Sequence, residues 1–399
     1  MTENPPPAAS AGGSPRPWFD WTRPAAAGRA VELDFMKVLS IAGMFFMHLQ
    51  IVFFSRDYAD YAFLSAPASW AGLNALLSLC GPFIFVFSMG ATLVFSRNQD
   101  GAARWRRGWR LLAAWLALNV LRGIPYALTL AGIAVPFPSA LTAGASPFIQ
   151  WLVFYLFVND ILFFAGVFFL FLGGLQKLGL RPRTIALAAV TLFAAANAAG
   201  DFSPHLPDWS RRWLGGLVYS GDAYSSFPFA NWAVVPFLGM GWGHLLRHCR
   251  RPGALHAAAG AAGAVAAGAA GFLMWQKGML APEYLQAHML NPLDFHRMNG
   301  VSLGAAVAGN AVLLAAVYGV SRVCGEFFRK GVVFCASLLF PVYFVHWVLL
   351  AWAKRLPQPP PGAPYGLGGL LGATALFYAL SVALAAAYKR LTSRRAEKK

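Results

Sequence analysis

Ten apolar runs, each long enough to cross a bilayer, dominate the chain and leave few folds open to it. They lie near 35–54, 71–95, 111–131, 149–175, 184–200, 229–247, 255–275, 300–321, 331–353 and 366–388. Only 12% of the 399 residues are charged and 58% are hydrophobic, where an average soluble domain is roughly 25% charged. A water-soluble fold of this size has no place to hide that much apolar surface. The reading is therefore an all-α, polytopic integral membrane protein of about ten transmembrane helices.

The connecting segments fix an orientation. Of the 32 basic residues, 24 fall in the segments preceded by an even number of runs or at the mouth of the first run, and seven fall in the other loops. Acidic residues divide evenly, seven and seven, so the net charge of +17 sits on one face. By the positive-inside rule that face is cytoplasmic, and both termini lie there. An odd number of spans would scramble the later loops. Residues 1–30, rich in Pro, Ala and Gly and without an apolar core, are expected to be a disordered tail and not a cleavable signal peptide. Residues 31–390 form the transmembrane domain, and 391–399 a short basic tail.

The charge also invites a nucleic-acid partner, but the basic residues flank apolar spans instead of forming a patch on a reader domain, so none is expected. Cys80, Cys249, Cys324 and Cys335 have no metal or redox spacing and read as small hydrophobes. The run around 257–271 is almost entirely Ala and Gly. Small residues let helices approach closely, which predicts a tightly packed interior helix there.

One basic and one acidic residue remain, Arg122 and Asp160, and both fall inside apolar runs, as do His48 and His346. Ionisable groups at membrane depth are costly and mark functional sites or buried pairs. At about 1.5 Å per residue, His48, Arg122 and His346 each lie about 18–22 Å from the inner end of their spans, and Asp160 about 16 Å below its outer end. All four can share one layer. Asn119 is on the face of Arg122, three residues before it. A structural Arg122–Asp160 pair with two bonded histidines is the simpler account. Four such groups at one depth favour a site, in which a neutral imidazole serves as general base or nucleophile. A second constellation, Arg104, Arg106, Arg107 and Arg110, lies at the cytoplasmic mouth of the third span. It reads either as a topology determinant beside acidic lipid or as a phosphate grip, since Arg107 and Arg110 lie on one helical face. Together the two suggest a molecule held by its phosphates with a reactive end near His48, which is the shape of an acyl-coenzyme A.

Leu33-Asp34-Phe35-Met36-Lys37 leading to Phe46-Met47-His48, then the helix Gly81-Pro82 to Met89-Gly90, then Arg107-Gly108-Trp109-Arg110, and finally Ala336-Ser337 through Tyr343 to His346, resemble in order the motifs of the transmembrane acyltransferase superfamily. That superfamily includes acyltransferase family 3 and the relatives of heparan-α-glucosaminide N-acetyltransferase. Asn159-Asp160-Ile161-Leu162, Phe229-Ala230-Asn231-Trp232 and Gly239-Met240-Gly241 lean toward the second branch and the late His segment toward the first. Lys37 stands where Arg is usual, Met89 where a small residue is usual, and Pro341 interrupts the late motif and is expected to kink the span that carries it.

The resemblance implies ten core spans, an acyl-CoA co-substrate (acetyl-CoA the expected one) in the cytoplasm, and a glycan or glycolipid acceptor reached from the far side of the membrane; the Ala/Gly/Arg-rich composition suggests a bacterial inner membrane. His48 would be the catalytic histidine, with Asp160, Arg122 and His346 around it. Arg107 and Arg110 would bind the donor, assisted by Arg104 and Lys37, and Asn119, Asn231 and Trp232 would face the acceptor. No metal and no tightly bound cofactor is implied. The competing readings are a transporter or flippase using the same intramembrane cluster, and a scaffolding membrane protein.

Overall fold

The computed structural model describes residues 19, 30–54, 71–96, 100–130, 144–202, 227–278, 300–353 and 367–397, so nearly all of the expected 1–30 tail and most of the two long connections at 201–228 and 276–299 lie outside the described residues. Among these residues the secondary structure is helical, with short turns and breaks between the helices. One isolated bridge, Phe19 to Cys249, is the exception to which both partners can be assigned.

A helix, or a pair of helices meeting at a break, falls on each of the ten apolar runs. In chain order they are α1 (Val31–Phe54), α2 (Ala71–Leu93), α3 (Gly101–Leu130), α4 (Pro147–Phe157) with α5 (Ile161–Lys177), and α6 (Pro182–Phe202). These are followed by α7 (Phe229–Trp232) with α8 (Val234–His248), α9 (Pro252–Gln276), α10 (Gly300–Val323), α11 (Glu326–Ser337) with α12 (Leu339–Ala353), and α13 (Leu367–Glu397). Among the described residues four stretches, Gly101–Leu128, Pro252–Gln276, Gly300–Val323 and Leu367–Thr392, are long and apolar enough to cross a membrane. The bent pair α11–α12 adds a fifth when taken as one span. The last helix runs on to Glu397, so the described part of the expected basic tail continues α13.

Small residues set the closest contacts. Gly90 of α2 lies against the backbone of Pro236, and Gly239 of α8 against the Phe87 carbonyl, too close in each case for a Cβ to fit. Between α3 and α5, Gly108 faces Gly166 and Gly101 faces Gly173 in the same manner. In lipid, where the hydrophobic effect does not drive helices together, backbone approach of this kind supplies the packing. Phenylalanines fill the centre: Phe45, Phe83, Phe164 and Phe168 are buried in one cluster with Leu33 and Tyr343.

Three expectations are corrected. The run 149–175 is not one helix: it breaks at Val158-Asn159-Asp160. The run 331–353 is bent, but not at Pro341: α11 meets α12 at 70°, around Leu338, three residues before that proline. Pro341 falls in the first turn of α12, where the missing amide hydrogen costs little. The Ala/Gly helix α9 is not interior. Only Leu255, His256, Gly260 and Gly263 are buried, while Val265, Phe272, Leu273 and Trp275 are more than half exposed. Its glycines serve one neighbour, α10, where Gly260 meets Ala315 and Gly263 meets the Ala308 carbonyl.

Candidate active site

The break between α4 and α5 is the foundation of the site. Ser146 caps the start of α4, its hydroxyl accepting from the Ile149 amide at 3.5 Å. Eleven residues later the helix stops and frees carbonyls that lipid could not satisfy. Helix α3 satisfies them: Asn119 Nδ2 donates to the carbonyls of Leu156 (3.2 Å) and Val158 (3.0 Å), and Trp115 Nε1 donates to Val158 (2.9 Å). Asp160 then caps α5, its Oδ1 accepting from the amides of Leu162 at 2.9 Å and Phe163 at 3.3 Å. A carboxylate at a helix N-terminus complements both the orphan donors and the dipole.

Arg122 lies between these two side chains. Its Nη2 donates to Asn119 Oδ1 at 2.6 Å, and its Nη1 stands 3.3 Å from Asp160 Oδ2. The pair is buried, with Arg122 2% and Asp160 5% exposed, so the two charges compensate each other where neither could stand alone. The guanidinium also sits over the Trp347 ring of α12, 4.9 Å from its centroid.

Trp347 is the link to the histidines. Its ring lies 4.2 Å from that of His48 on α1, and the rings of His48 and His346 lie nearly parallel, 4° apart, with centroids 5.4 Å apart. His48 Nδ1 and His346 Nε2 are 3.2 Å apart, and His346 Nδ1 is hydrogen-bonded to the Tyr343 carbonyl. A carbonyl can only accept, so Nδ1 of His346 carries the hydrogen, and neutral His346 offers Nε2 as an acceptor. His48 Nδ1–H then donates to it. This assignment leaves the second nitrogen of His48, Nε2, with its lone pair. His48 is half-buried, while His346 is completely enclosed.

The two ends of α3 differ. At its start Arg104 is 5% exposed, yet its Nε and Nη1 make no hydrogen bond to any described residue. Arg107 lies over the Phe169 ring at 4.4 Å, and Lys177 over Trp105 at 5.1 Å. Arg106, Arg107 and Arg110 are exposed. Lys37 pairs with the buried Asp34 at 3.4 Å.

No family model, no curated protein and no solved structure matches this chain. The geometry therefore stands by itself. His48, Asn119, Arg122, Asp160 and His346, singled out by sequence, come together in one connected network. Asn231 and Trp232 are buried on α7, which packs mainly against α5, α6 and α8, with Trp232 in edge contact with Phe227. Sequence reading missed Trp347, Trp115 and the Tyr343 carbonyl. The first two are apolar-looking residues in apolar helices, and a main-chain acceptor has no sequence signature. The one available signal was the Asn159-Asp160 step before an apolar run, which has the form of a helix cap.

Proposed function

We propose that the chain is a membrane acyltransferase that crosses the bilayer ten times with both termini in the cytoplasm. It would move an acyl group, acetyl in the first instance, from cytoplasmic acyl-CoA to a carbohydrate acceptor reached from the opposite side. The observation that carries the reading is the relay from the Tyr343 carbonyl through His346 to His48 beside the buried Arg122. It holds one imidazole in a single tautomer with a lone pair to spare, as a general base requires.

In the proposed reaction, His48 Nε2 takes the proton from the acceptor hydroxyl or amine as that oxygen or nitrogen bonds to the thioester carbonyl carbon. The C–S bond breaks, and the proton held by His48 passes to the departing thiolate. In a two-step route Nε2 instead bonds to the acyl carbon as the C–S bond breaks; the acceptor then attacks that carbon, the C–N bond breaks, and the acceptor's proton goes to the departed thiolate. Arg122, over the Trp347 ring that also touches His48, would add positive potential to the side where the oxyanion develops. At the other end of α3, Arg104 and Arg107 share a helical face by their three-residue spacing and would take the donor phosphates. Arg104 brings two unbonded buried nitrogens to that task, which makes it a better candidate than the exposed Arg110. Arg107 and Arg122 are about 22 Å apart along the helix, a separation suited to a donor with a long flexible arm.

A transporter is the second reading, favoured by the interruption at 158–160, because discontinuous helices often line solute sites. Against it, the freed groups are taken by Asn119, Trp115 and Asp160.

The test is binding of acetyl-CoA to the purified full chain, followed by thiol release with candidate glycan acceptors. His48→Ala should leave donor binding intact and lower turnover by about 10²–10⁴-fold. Failure of the wild type to bind acetyl-CoA at millimolar concentration would overturn the reading and leave solute transport to be assayed.

A further inference from the structure

The 70° elbow between α11 and α12 sets α11 at a steep angle to the helix that follows it, and α11 has the composition of an interfacial helix. Phe327, Phe328 and Phe334 are exposed at 93%, 55% and 48%, and Arg329 and Lys330 follow directly on the first two. Its Phe328 ring packs on Phe35 of α1, at 5.8 Å, which ties α11 to the basic end of the bundle.

Between α11 and α13 runs a groove of about 600 Å³. Phe334 and Cys335 form one wall. The other is α13 from Tyr378 through Val382 and Ala386 to Arg390. Successive alanines hollow this wall, and Tyr378 to Arg390 spans about 18 Å along the helix. A smaller cavity of about 330 Å³, lined by Arg329, Lys330 and Ser337, adjoins it at Phe334. At the mouth, Lys389 Nζ donates to Ser337 Oγ at 3.4 Å, which places the cation at the elbow. The charged residues described at this end are Arg329, Lys330, Lys389 and Arg390, with Lys37 on α1, against Glu326, Glu32 and Asp34; Glu326 pairs with both Arg329 and Lys330 at 3.2 Å, and Asp34 with Lys37.

We propose that this groove is a binding site for one anionic phospholipid, its acyl chain lying along the Tyr378–Arg390 face of α13 and its phosphate held by Lys389, Arg390 and the basic turn of α11. The excess of positive charge confined to one end of an apolar trough selects this occupant. A zwitterionic lipid brings no net negative charge to this basic end, and a soluble phosphate compound would leave the trough without a partner. Basic pockets between helices at the cytoplasmic surface recognise anionic headgroups in this manner. The inference rests on the membrane placement and basic-side orientation proposed above, and not on acyl transfer.

The experiment is native mass spectrometry of the full chain in a neutral detergent. It would be titrated with phosphatidylglycerol, with phosphatidylcholine of the same acyl chains, and with glycerol phosphate as a headgroup without chains. Phosphatidylglycerol should be retained at one equivalent and the other two should not. Lys389→Gln/Arg390→Gln should weaken its retention by about thirtyfold. Ala386→Phe, which fills the trough without touching the charges, should abolish retention in a protein whose thermal unfolding still matches wild type. Equal retention of both lipids, binding of glycerol phosphate alone, or retention unchanged in the charge variant would overturn the proposal.

Discussion

Arg104 and Arg122 stand on the same helix, five turns apart, and both are almost fully buried. Their hydrogen-bonding surroundings differ. Arg122 bonds Asn119, pairs with Asp160 and covers Trp347, all within the described bundle. Arg104 reaches no hydrogen-bonding partner among the described residues through Nε or Nη1, although the α3–α5 contact at Gly173 encloses its stem. A buried guanidinium is costly unless its donors are used. Arg122 is therefore part of what holds the break at 158–160 together, whereas Arg104 has capacity left for an anion from outside.

The sharpest way to break this comparison is at Arg122. Arg122→Gln leaves the Asp160 carboxylate without its cation in the protein interior, and removing one partner of such a pair costs about 3–5 kcal/mol. Asp160 keeps its bonds to two amides, so the lower end of that range is expected. Thermal unfolding in detergent should show a clear drop. An unchanged midpoint would mean that the α4–α5 break does not depend on the ion pair.

Arg104→Gln should behave in the reverse way. With no hydrogen bond from those two nitrogens to lose, the midpoint should stay near that of wild type. Acetyl-CoA binding should weaken by about 10- to 150-fold, the value of one hydrogen-bonded charge contact of about 1.5–3 kcal/mol. Arg110→Gln is the control on an exposed neighbour and should have a smaller effect. If Arg110→Gln weakens binding more than Arg104→Gln, the donor grip uses the outer face of α3, as the Arg107/Arg110 spacing first suggested.

The difference between these two arginines was only partly legible in the sequence. Depth arithmetic alone brought His48, Arg122, Asp160 and His346 into one layer, because helical rise is fixed and apolar runs mark where it begins. That arithmetic is blind to direction around the helix. Arg104-Arg107 and Arg107-Arg110 have the same spacing, and burial of the first was decided by Gly173 on another helix. The break at 158–160 was hidden for a related reason: Val158 and Ile161 continue the apolar run on either side of it, so a hydropathy window reads straight through. The α9 error is instructive in the same way. Alanine and glycine permit close approach but do not say on how many sides, and the structure uses one.

Asp160 does two jobs at once, and separating them gives the finest test of the contrast. Asp160→Asn removes the charge opposite Arg122 but retains a side-chain oxygen able to accept from Leu162 and Phe163, and Asn caps helices about as well as Asp. Asp160→Ala removes both. The two variants should differ by about 1 kcal/mol, the usual value of a cap, with alanine the less stable, a difference readable as a shift between unfolding midpoints. Combining each with Arg122→Gln sharpens the result. With neither charge present, Asp160→Asn should recover most of the stability lost in Arg122→Gln alone, while Asp160→Ala should fall short of that by the same cap increment. An alanine–asparagine difference that vanishes in the double variants would show that the carboxylate acts only as a counter-ion, and that the start of α5 is held by its packing against α3 and not by its cap.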